Sequence, residues 1–468
     1  MKHLKRNIRG ASMVLLSLFM LLTAYFYYNL FLYSDRWFSN PNNARVRVDM
    51  DNPHIIPGSI MDRNQTVLVE TKSFAEKNGS ITYYRHYNKD SKYAAHVIGS
   101  RQYGIGAEVL YIKYLLGYDN NLFERIYQKA FLDQEQGNNV ILTIDMQLQK
   151  YIVDAMGNEK GSVVLMHPQT GEILAMASQP TFDPSIIHEE PAEGSLLNKA
   201  AQGLYPPGSI MKVITAAAAL ENIEGISAYS INCKGVTEVD GVVISCYGGE
   251  AHGNVDFTRA MEVSCNAYFA EIVQKIGWKQ FKKTAEAFGF NKDYIFPDIK
   301  TTKSHLPVSR NTEKEELLWS AVGQGKVLAS PLHMALVASS IANGGTMLEP
   351  KLIYGIQSRT GKIHLQQSRK IAEPISSEAA EILTNTLIGV VENGTGRQAR
   401  SVGMLIAGKT GTAEVGADKK PHAWFIGFAP ADNPTLAIAV ILENSGTGGS
   451  KAAPLAARIL REASKLGY

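Results

Sequence analysis

Cysteine is scarce in this 468-residue sequence, which has only three, at positions 233, 246 and 265. This scarcity excludes the small secreted scaffolds whose folds depend on several disulfide bridges. Cys233 and Cys246 flank a hairpin-like segment and are the pair that one disulfide would join, with two separately buried free thiols as the alternative. Cys265 is predicted to be a small buried filler and not a nucleophile.

Charge of either sign is also scarce. Charged residues make up 19% of the chain, the formal net charge is only +3, and no arginine-rich or lysine-rich stripe occurs. Binding to nucleic acid needs a concentrated basic surface, so the composition argues against that class. His252, His333 and His422 show no metal-ligand spacing. We therefore expect structural roles for these histidines, no metal and no cofactor.

One long run without charged side chains extends from residue 11 to about residue 33. It is long enough for a membrane-spanning helix, which needs about 20 apolar residues, and it has no visible small-residue cleavage site. The ten residues before it carry four basic side chains, which predicts a cytoplasmic N-terminus. Residues 1–10 are thus predicted as a cytoplasmic tail, residues 11–33 as a retained membrane anchor, and the remainder as lying outside the cell membrane.

Hydrophobic patterning predicts two domains after the anchor. Residues 34–137 have short apolar runs without a long amphipathic period and are predicted to form a smaller pedestal domain. A β-like run at 140–144 passes into a helical pattern capped by Asp145, which begins a larger domain, 138–468. A hairpin at 162–178, apolar helices and three strand-like runs near the C-terminus predict an α/β fold with an antiparallel sheet flanked by helices.

The segment Ser209-Ile210-Met211-Lys212 opens an alanine-rich helix directly after two prolines and a glycine. A serine hydroxyl is a poor nucleophile until a neighbouring base removes its proton. Because Lys212 follows Ser209 by three residues, one helical face carries both side chains. Burial or a second cation lowers the pKa of such a lysine toward the neutral, basic form, and Lys409 is a candidate for that cation. The helix start also favours developing negative charge.

Two further motifs supply groups that suit an amide substrate. Ser264-Cys265-Asn266 offers a hydroxyl that can relay a proton to a leaving amine, and a side-chain amide that both donates and accepts. Lys409-Thr410-Gly411-Thr412 lies on a predicted strand, where lysine and threonine side chains can hold a carboxylate and the glycine leaves room for the substrate. An edge strand can also pair with an extended peptide.

With these three motifs in this order, the chain resembles the class B, monofunctional penicillin-binding proteins. The segments LTIDMQLQ, TGEILAMAS, PPGSIMK, SCNAYFA, GQGKVLASPLHMA, GKTGTAE and WFIGFAP are similar to those of the family. The resemblance implies the penicillin-binding transpeptidase fold. It also implies a peptidoglycan D,D-transpeptidase that joins stem peptides ending in D-Ala-D-Ala, releases the terminal D-Ala and is acylated by β-lactams.

The resemblance implies a role for each motif residue. Ser209 would be the acylated nucleophile, Lys212 its base and Ser264 a proton relay. The backbone N–H groups of Ser209 and Thr412 would form the oxyanion hole. The substrate-binding residues would be Asn266, Lys409, Thr410, Gly411 and Thr412.

Partners and rival functions follow from the same resemblance. The segment before the larger domain is too short for the glycosyltransferase domain of class A proteins, which implies a membrane polymerase of the SEDS type (shape, elongation, division and sporulation) as partner. A D,D-carboxypeptidase or a β-lactamase-like hydrolase is the nearest alternative, because these enzymes share the nucleophile. A non-catalytic β-lactam sensor or scaffold is the alternative from another class, although a silent scaffold need not keep all three motifs.

Overall fold

The computed structural model describes residues 2–38, 55–76, 81–120, 130–131, 135–186, 190–294, 296–416 and 418–468. Its first helix, α1 (Lys2–Phe38), begins within the predicted tail and contains an apolar segment, Asn7–Leu30, long enough to cross a membrane. The side chains of its most apolar stretch are not buried by any described part of the chain. In the predicted pedestal, residues 39–54, 77–80, 121–129 and 132–134 lie outside the described residues.

Strands and helices occur in groups along the rest of the described chain. The strands are β1 (Ile55–Ile56), β2 (Ile60–Met61), β3 (Val67–Ala75), β4 (Ile81–Tyr87), β5 (Glu135–Gln136), β6 (Asn139–Leu142), β7 (Gly161–Met166), β8 (Ile173–Gln179), β9 (Ile231–Cys233), β10 (Val236–Val239), β11 (Val242–Ser245), β12 (Gly253–Val255), β13 (Met347–Leu348), β14 (Ile353–Gln357), β15 (Ile363–Leu365), β16 (Lys370–Ala372), β17 (Ala407–Ala413), β18 (His422–Ala429) and β19 (Leu436–Leu442). The α-helices after α1 are α2 (Ala95–Ile98), α3 (Ala107–Leu110), α4 (Ile112–Leu115), α5 (Met146–Met156), α6 (Lys199–Gln202), α7 (Lys212–Asn222), α8 (Phe257–Glu262), α9 (Asn266–Ile276), α10 (Trp278–Ala287), α11 (Lys314–Ala321), α12 (Pro331–Ala342), α13 (Ser377–Asn393) and α14 (Ala453–Lys465).

A six-stranded sheet connects the predicted pedestal to the larger domain. Its order is β15-β14-β6-β2-β3-β4, with β2 parallel to β6 and the other neighbours antiparallel. Three of these strands, β6, β14 and β15, come from beyond residue 138. An ion pair between Arg63 and Glu172, 3.4 Å apart, adds a second link. The boundary at 137/138 stays a prediction, and the sheet crosses it.

A five-stranded antiparallel sheet forms the centre of the larger domain, in the order β17-β18-β19-β7-β8. Because side chains alternate along a strand, β7, β8, β18 and β19 each contribute to two hydrophobic cores. In β18, Trp424 and Ile426 join the core on one face, while Phe425 joins the core on the other. Helix α12 packs on the first face, and α5 and α14 pack on the second. The predicted antiparallel sheet flanked by helices is confirmed.

Several local predictions are also confirmed. The hairpin at 162–178 forms as antiparallel β7 and β8. Asp145 caps α5, and its carboxylate accepts hydrogen bonds from the backbone N–H groups of Gln147 and Leu148. The helix predicted from Ser209 differs in its first turn, Gly208–Met211, which is a 3₁₀ turn before α7 begins at Lys212. Such tighter turns are frequent at helix ends.

Candidate active site

Ser209 lies in the 3₁₀ turn that precedes α7. The backbone of Gly208 has a φ of 57°, which lets this turn lie against the third motif. The N–H of Gly208 donates to the Gly323 carbonyl at 2.8 Å. On the other side, the indole N–H of Trp424 donates to the Pro206 carbonyl at 2.9 Å. Trp424 is fully buried. The turn carrying Ser209 is therefore held by backbone and side-chain bonds from two elements.

Lys212 lies at the centre of the site. Its Nζ lies 3.1 Å from Ser209 Oγ and 3.0 Å from Ser264 Oγ. It also lies 2.6 Å from the Ser264 carbonyl oxygen and 2.6 Å from Asn266 Oδ1. The side chain has no solvent exposure. One nitrogen thus joins the first motif to the second across a separation of more than fifty residues.

These four contacts suit a neutral amine. The two nearest oxygens, Ser264 O and Asn266 Oδ1, can only accept, and they match the two N–H donors of an uncharged lysine. The remaining lone pair then faces the hydroxyls of Ser209 and Ser264, either of which can donate. Asn266 is oriented independently, because its Nδ2 donates to the Ser245 carbonyl at 2.8 Å.

Ser264 occupies the short loop between α8 and α9. Its φ is 58°, a backbone conformation that is uncommon for residues other than glycine and that often occurs at functional sites. The Ser264 hydroxyl lies 3.0 Å from Lys212 Nζ and 3.0 Å from Lys409 Nζ. The hydroxyl is therefore a bridge between two amines that come from different motifs.

The third motif lies on β17, the edge strand of the central sheet. Lys409 is fully buried, and its Nζ also donates to the Thr410 carbonyl at 3.0 Å. Thr410 Oγ1 lies 2.7 Å from Thr395 Oγ1. At Gly411, a Cβ atom would lie 2.9 Å from the Pro207 carbonyl oxygen. Only glycine therefore lets β17 approach the turn that carries the nucleophile this closely.

Burial dominates the electrostatics of the two lysines. Removal from water lowers the pKa of Lys212 to about 8, because it penalises the charged form. Burial, and then the neighbouring Lys212 ammonium, hold the pKa of Lys409 well below its ordinary range. The sequence predicted that Lys409 would lower the pKa of Lys212, whereas the charge effect runs from Lys212 to Lys409. Burial is the larger cause for both amines.

A cleft of about 580 Å³ opens above these groups, a size typical of ligand sites. The two lysines lie behind its wall and are shielded from solvent. The motif residues that line the cleft are Ser209, Ser264, Asn266, Thr410 and Thr412. Hydroxyls and an amide thus face the space where a substrate can bind, with two amines directly behind them. All eight residues selected from the sequence meet at this place.

Comparison with known proteins assigns the family. The penicillin binding protein transpeptidase domain matches residues 161–461. The peptidoglycan D,D-transpeptidase PbpA of Mycolicibacterium smegmatis is 32% identical over 466 residues, which cover 91% of this chain and 93% of that protein. This chain belongs to the class B penicillin-binding proteins.

Solved structures of other penicillin-binding proteins agree with this assignment. The penicillin G acyl-enzyme complex of penicillin-binding protein A from M. tuberculosis has a TM-score of 0.78 and 30% identity, and the match covers 88% of this chain and 100% of that one. The D,D-transpeptidase domain of a peptidoglycan glycosyltransferase from Eggerthella lenta gives a TM-score of 0.78 and 30% identity, with 88% and 99% covered. The penicillin-binding transpeptidase fold is confirmed.

Two residues beside the class B motifs were not singled out from the sequence. Thr395, between α13 and the following turn, contacts Thr410 and lines the cleft. Gln324 also lines the cleft, and its side-chain amide donates to the Thr412 carbonyl at 3.4 Å. Gln324 belongs to the family-like segment GQGKVLASPLHMA, which was a usable signal. Thr395 has no comparable signal, because only tertiary packing brings it to β17.

The cysteines of this class B protein are all buried and free. Cys233 Sγ and Cys246 Sγ lie 3.7 Å apart, well beyond the S–S bond length of about 2.05 Å. Of the two alternatives for this pair, the structure contains free thiols, although they are in contact and not separate. Cys265, predicted as a filler, lies 3.8 Å from Cys246, and His252 faces the same group. His333 is buried and contacts the Phe288 carbonyl, as expected for a structural histidine.

Proposed function

We propose that this class B protein is a peptidoglycan D,D-transpeptidase that works through an acyl-enzyme on Ser209. One observation carries the proposal: Lys212 Nζ lies within hydrogen-bonding distance of both Ser209 Oγ and Ser264 Oγ, at 3.1 Å and 3.0 Å. A nucleophile, its base and a second hydroxyl therefore form a continuous path for a proton. Such a path is needed when a serine attacks an amide and an amine must leave.

In the proposed acylation, neutral Lys212 accepts the hydroxyl proton of Ser209 while Oγ attacks the carbonyl carbon of the penultimate D-Ala. The C–N bond to the terminal D-Ala then breaks, and the amine receives a proton from Lys212 through the Ser264 hydroxyl, 3.0 Å away. Backbone N–H groups of Ser209 and Thr412 are proposed to stabilise the negative charge on the carbonyl oxygen. The products are an ester on Ser209 and free D-Ala.

The second half reverses these roles. An amine from a neighbouring stem peptide attacks the ester carbonyl, and a new amide bond forms as the ester C–O bond to Ser209 breaks. The amine proton passes through Lys212 to Ser209 Oγ. Water in place of the amine would give a carboxypeptidase. The cleft of about 580 Å³ has room for extended peptide chains, which supports the transfer reaction.

The third motif is proposed to bind the donor peptide. The hydroxyls of Thr410 and Thr412 line the cleft and suit the substrate carboxylate, with Lys409 supplying positive charge from behind. Because β17 is an edge strand, the side of it that does not pair with β18 can pair with the extended peptide. Asn266 is proposed to bind the substrate amide, since it also lines the cleft.

We also propose the arrangement of the chain at the membrane. Residues 1–10 would lie in the cytoplasm, residues 11–33 in the bilayer, and a pedestal (34–137) and transpeptidase domain (138–468) outside. The apolar segment of α1 and the basic residues before it support this orientation. A membrane polymerase of the SEDS type is the proposed partner. Co-purification of such a polymerase with the full chain, lost when the α1 segment is replaced by an unrelated spanning helix, tests this contact.

Labelling with a fluorescent penicillin tests the nucleophile. The full-length protein should be labelled covalently, and the Ser209→Ala variant should not. The control variant Ser245→Ala should be labelled like the native protein, because Ser245 lines the same cleft without contacting Lys212 Nζ through its side chain. Equal labelling of native protein and Ser209→Ala would remove Ser209 from the mechanism.

A second assay separates transfer from hydrolysis. Synthetic stem peptides ending in D-Ala-D-Ala are incubated with the full chain and an acceptor stem peptide, and mass spectrometry measures the joined product and released D-Ala. Transfer predicts both products in equal amounts. Release of D-Ala without any joined peptide would make the protein a carboxypeptidase.

A further inference from the structure

All three cysteines of the chain converge with one histidine beside the active site. Cys233 ends β9, Cys246 follows β11, His252 precedes β12, and Cys265 lies between Ser264 and Asn266 of the second motif. The four candidate ligand atoms all lie within 4.8 Å of one another. The three thiols are buried, and His252 is half-buried. Sequence spacing did not predict this cluster, because its members are spread over residues 233–265.

Three of the six distances in the cluster match tetrahedral zinc coordination, and all six are within 4.8 Å. Zn–S bonds of about 2.3 Å and Zn–N bonds of about 2.05 Å require S···S separations of about 3.8 Å and S···N separations of about 3.6 Å. Cys233 Sγ lies 3.7 Å from Cys246 Sγ, which lies 3.8 Å from Cys265 Sγ. Cys233 Sγ lies 3.5 Å from His252 Nδ1. A disulfide would have to shorten one S···S distance considerably and would leave the third cysteine unused.

Backbone N–H groups orient two of the sulfurs. The backbone N–H of Gly235 donates to Cys233 Sγ at 3.4 Å, and that of Tyr268 donates to Cys265 Sγ at 3.5 Å. Hydrogen bonds of this kind orient metal ligands. Simple packing of three neutral thiols would account for the close contact of the sulfurs. It would not account for an imidazole nitrogen directed at the same point.

We propose that Cys233, Cys246, His252 and Cys265 bind one zinc ion in a closed structural site. Three thiolates and an imidazole are ligands that zinc prefers, and four protein ligands leave no open position for catalysis. The site therefore holds structure together and takes no part in bond making. This inference does not depend on the proposed transpeptidase activity.

The ion would fix one wall of the cleft. Strands β9 to β12 form only a pair of two-stranded sheets with strands of three or four residues, and such sheets are marginally stable alone. Small structural units of this kind are often stabilised by a bound metal ion. Cys246 and His252 line the cleft, while Cys265 adjoins Ser264 and caps α9. Zinc would thus tie this wall to the loop that carries Ser264 and Asn266.

Metal analysis of the full-length protein in detergent tests the site. Elemental mass spectrometry should find about one zinc per chain, as expected for one closed site. His252→Ala should lose at least about tenfold in zinc affinity, whereas His252→Cys should retain the metal, since cysteine supplies an equivalent ligand. His364→Ala is the matched control, because His364 is exposed on β15, and it should bind zinc normally.

Cobalt and thiol measurements guard against variants that merely unfold. Reconstitution of native protein with Co²⁺ should give the visible absorption of tetrahedral thiolate coordination, and the spectrum should change in folded His252→Cys. The proposal is overturned if native protein fails to bind zinc on reconstitution, if His252→Ala binds it normally, or if intact mass measurement finds a disulfide between Cys233 and Cys246.

The effect on the cleft wall is tested separately, and this part rests on the proposed function. Removing zinc with a chelator should slow labelling by a fluorescent penicillin at least about threefold, with recovery when zinc is restored. Ser209→Ala should bind zinc as the native protein does while escaping the label, so failure of the metal site and failure of the acylation mechanism give different results. Unchanged labelling of zinc-free protein would overturn the positioning role.

Discussion

Replacing Lys212 with methionine should abolish acylation while leaving the fold nearly as stable. The side chains have similar length, and Lys212 is fully buried, so methionine can occupy the same space. Loss of the base removes a contribution of roughly 10²–10⁴ in rate. This corresponds to about 2.7–5.4 kcal/mol of activation free energy.

The stability of Lys212→Met follows from two opposing contributions. Ser264 O and Asn266 Oδ1 each lose a donor at 2.6 Å, which costs about 1–3 kcal/mol per group when no water replaces it. Removing an amine from a fully buried position relieves a desolvation cost of several kcal/mol. We expect the free energy of unfolding to change by less than about 2 kcal/mol, the difference between these contributions.

A buried lysine elsewhere in the fold provides the matched control. Lys199 Nζ lies 2.7 Å from Glu443 Oε1, with side-chain exposures of 9% and 17%. Lys199→Met removes the cation from that carboxylate, which keeps the Tyr205 hydroxyl as a donor at 2.7 Å, and should lower the free energy of unfolding by up to about 3 kcal/mol. Its acylation rate should stay within about threefold of native, because Lys199 contacts no motif residue. The two variants thus give opposite patterns.

The assay measures the second-order rate constant for fluorescent penicillin labelling together with the thermal unfolding midpoint. The assignment of Lys212 as the base would be refuted by a Lys212→Met variant that unfolds at the native midpoint and keeps a labelling rate constant within about threefold of native. A threefold change corresponds to about 0.6 kcal/mol in the activation free energy.

Three further outcomes are expected. Burial lowers the pKa of Lys212 to about 8, so the fraction of neutral, basic lysine rises with pH up to that value. The rate of acylation by penicillin should therefore rise roughly tenfold per pH unit below pH 8 and level off above it. A rate that does not change from pH 6 to 9 would contradict this. Gly411→Ala places a Cβ 2.9 Å from the Pro207 carbonyl oxygen and 3.0 Å from Trp424 Cβ. We therefore expect the free energy of unfolding to fall by about 1–3 kcal/mol and penicillin labelling to slow. Native values in both assays would show that β17 can shift freely. Trp424→Phe removes the donor at 2.9 Å from the Pro206 carbonyl and should cost about 1–3 kcal/mol by thermal unfolding, with a smaller loss of labelling than Lys212→Met.

Local chemistry was accessible from the sequence. Ser209 and Lys212 are one helical turn apart, so their contact follows from helix geometry alone. Asp145 caps α5 because a carboxylate before a helix accepts its free N–H groups, and the hairpin of β7 and β8 follows from apolar alternation around a turn. The sequence alone therefore indicates the fold class and the eight motif residues, and the resemblance of its segments indicates the family.

Tertiary structure alone decided how distant segments meet. No local pattern indicates that the Ser264 hydroxyl lies 3.0 Å from two amines, that Thr395 contacts Thr410, or that β6 pairs with β2 of the pedestal. The convergence of Cys233, Cys246, His252 and Cys265 belongs to the same class. Periodicity reports which face of an element is buried, whereas these contacts depend on which elements share that buried space, and that choice is made by the packing of the whole chain.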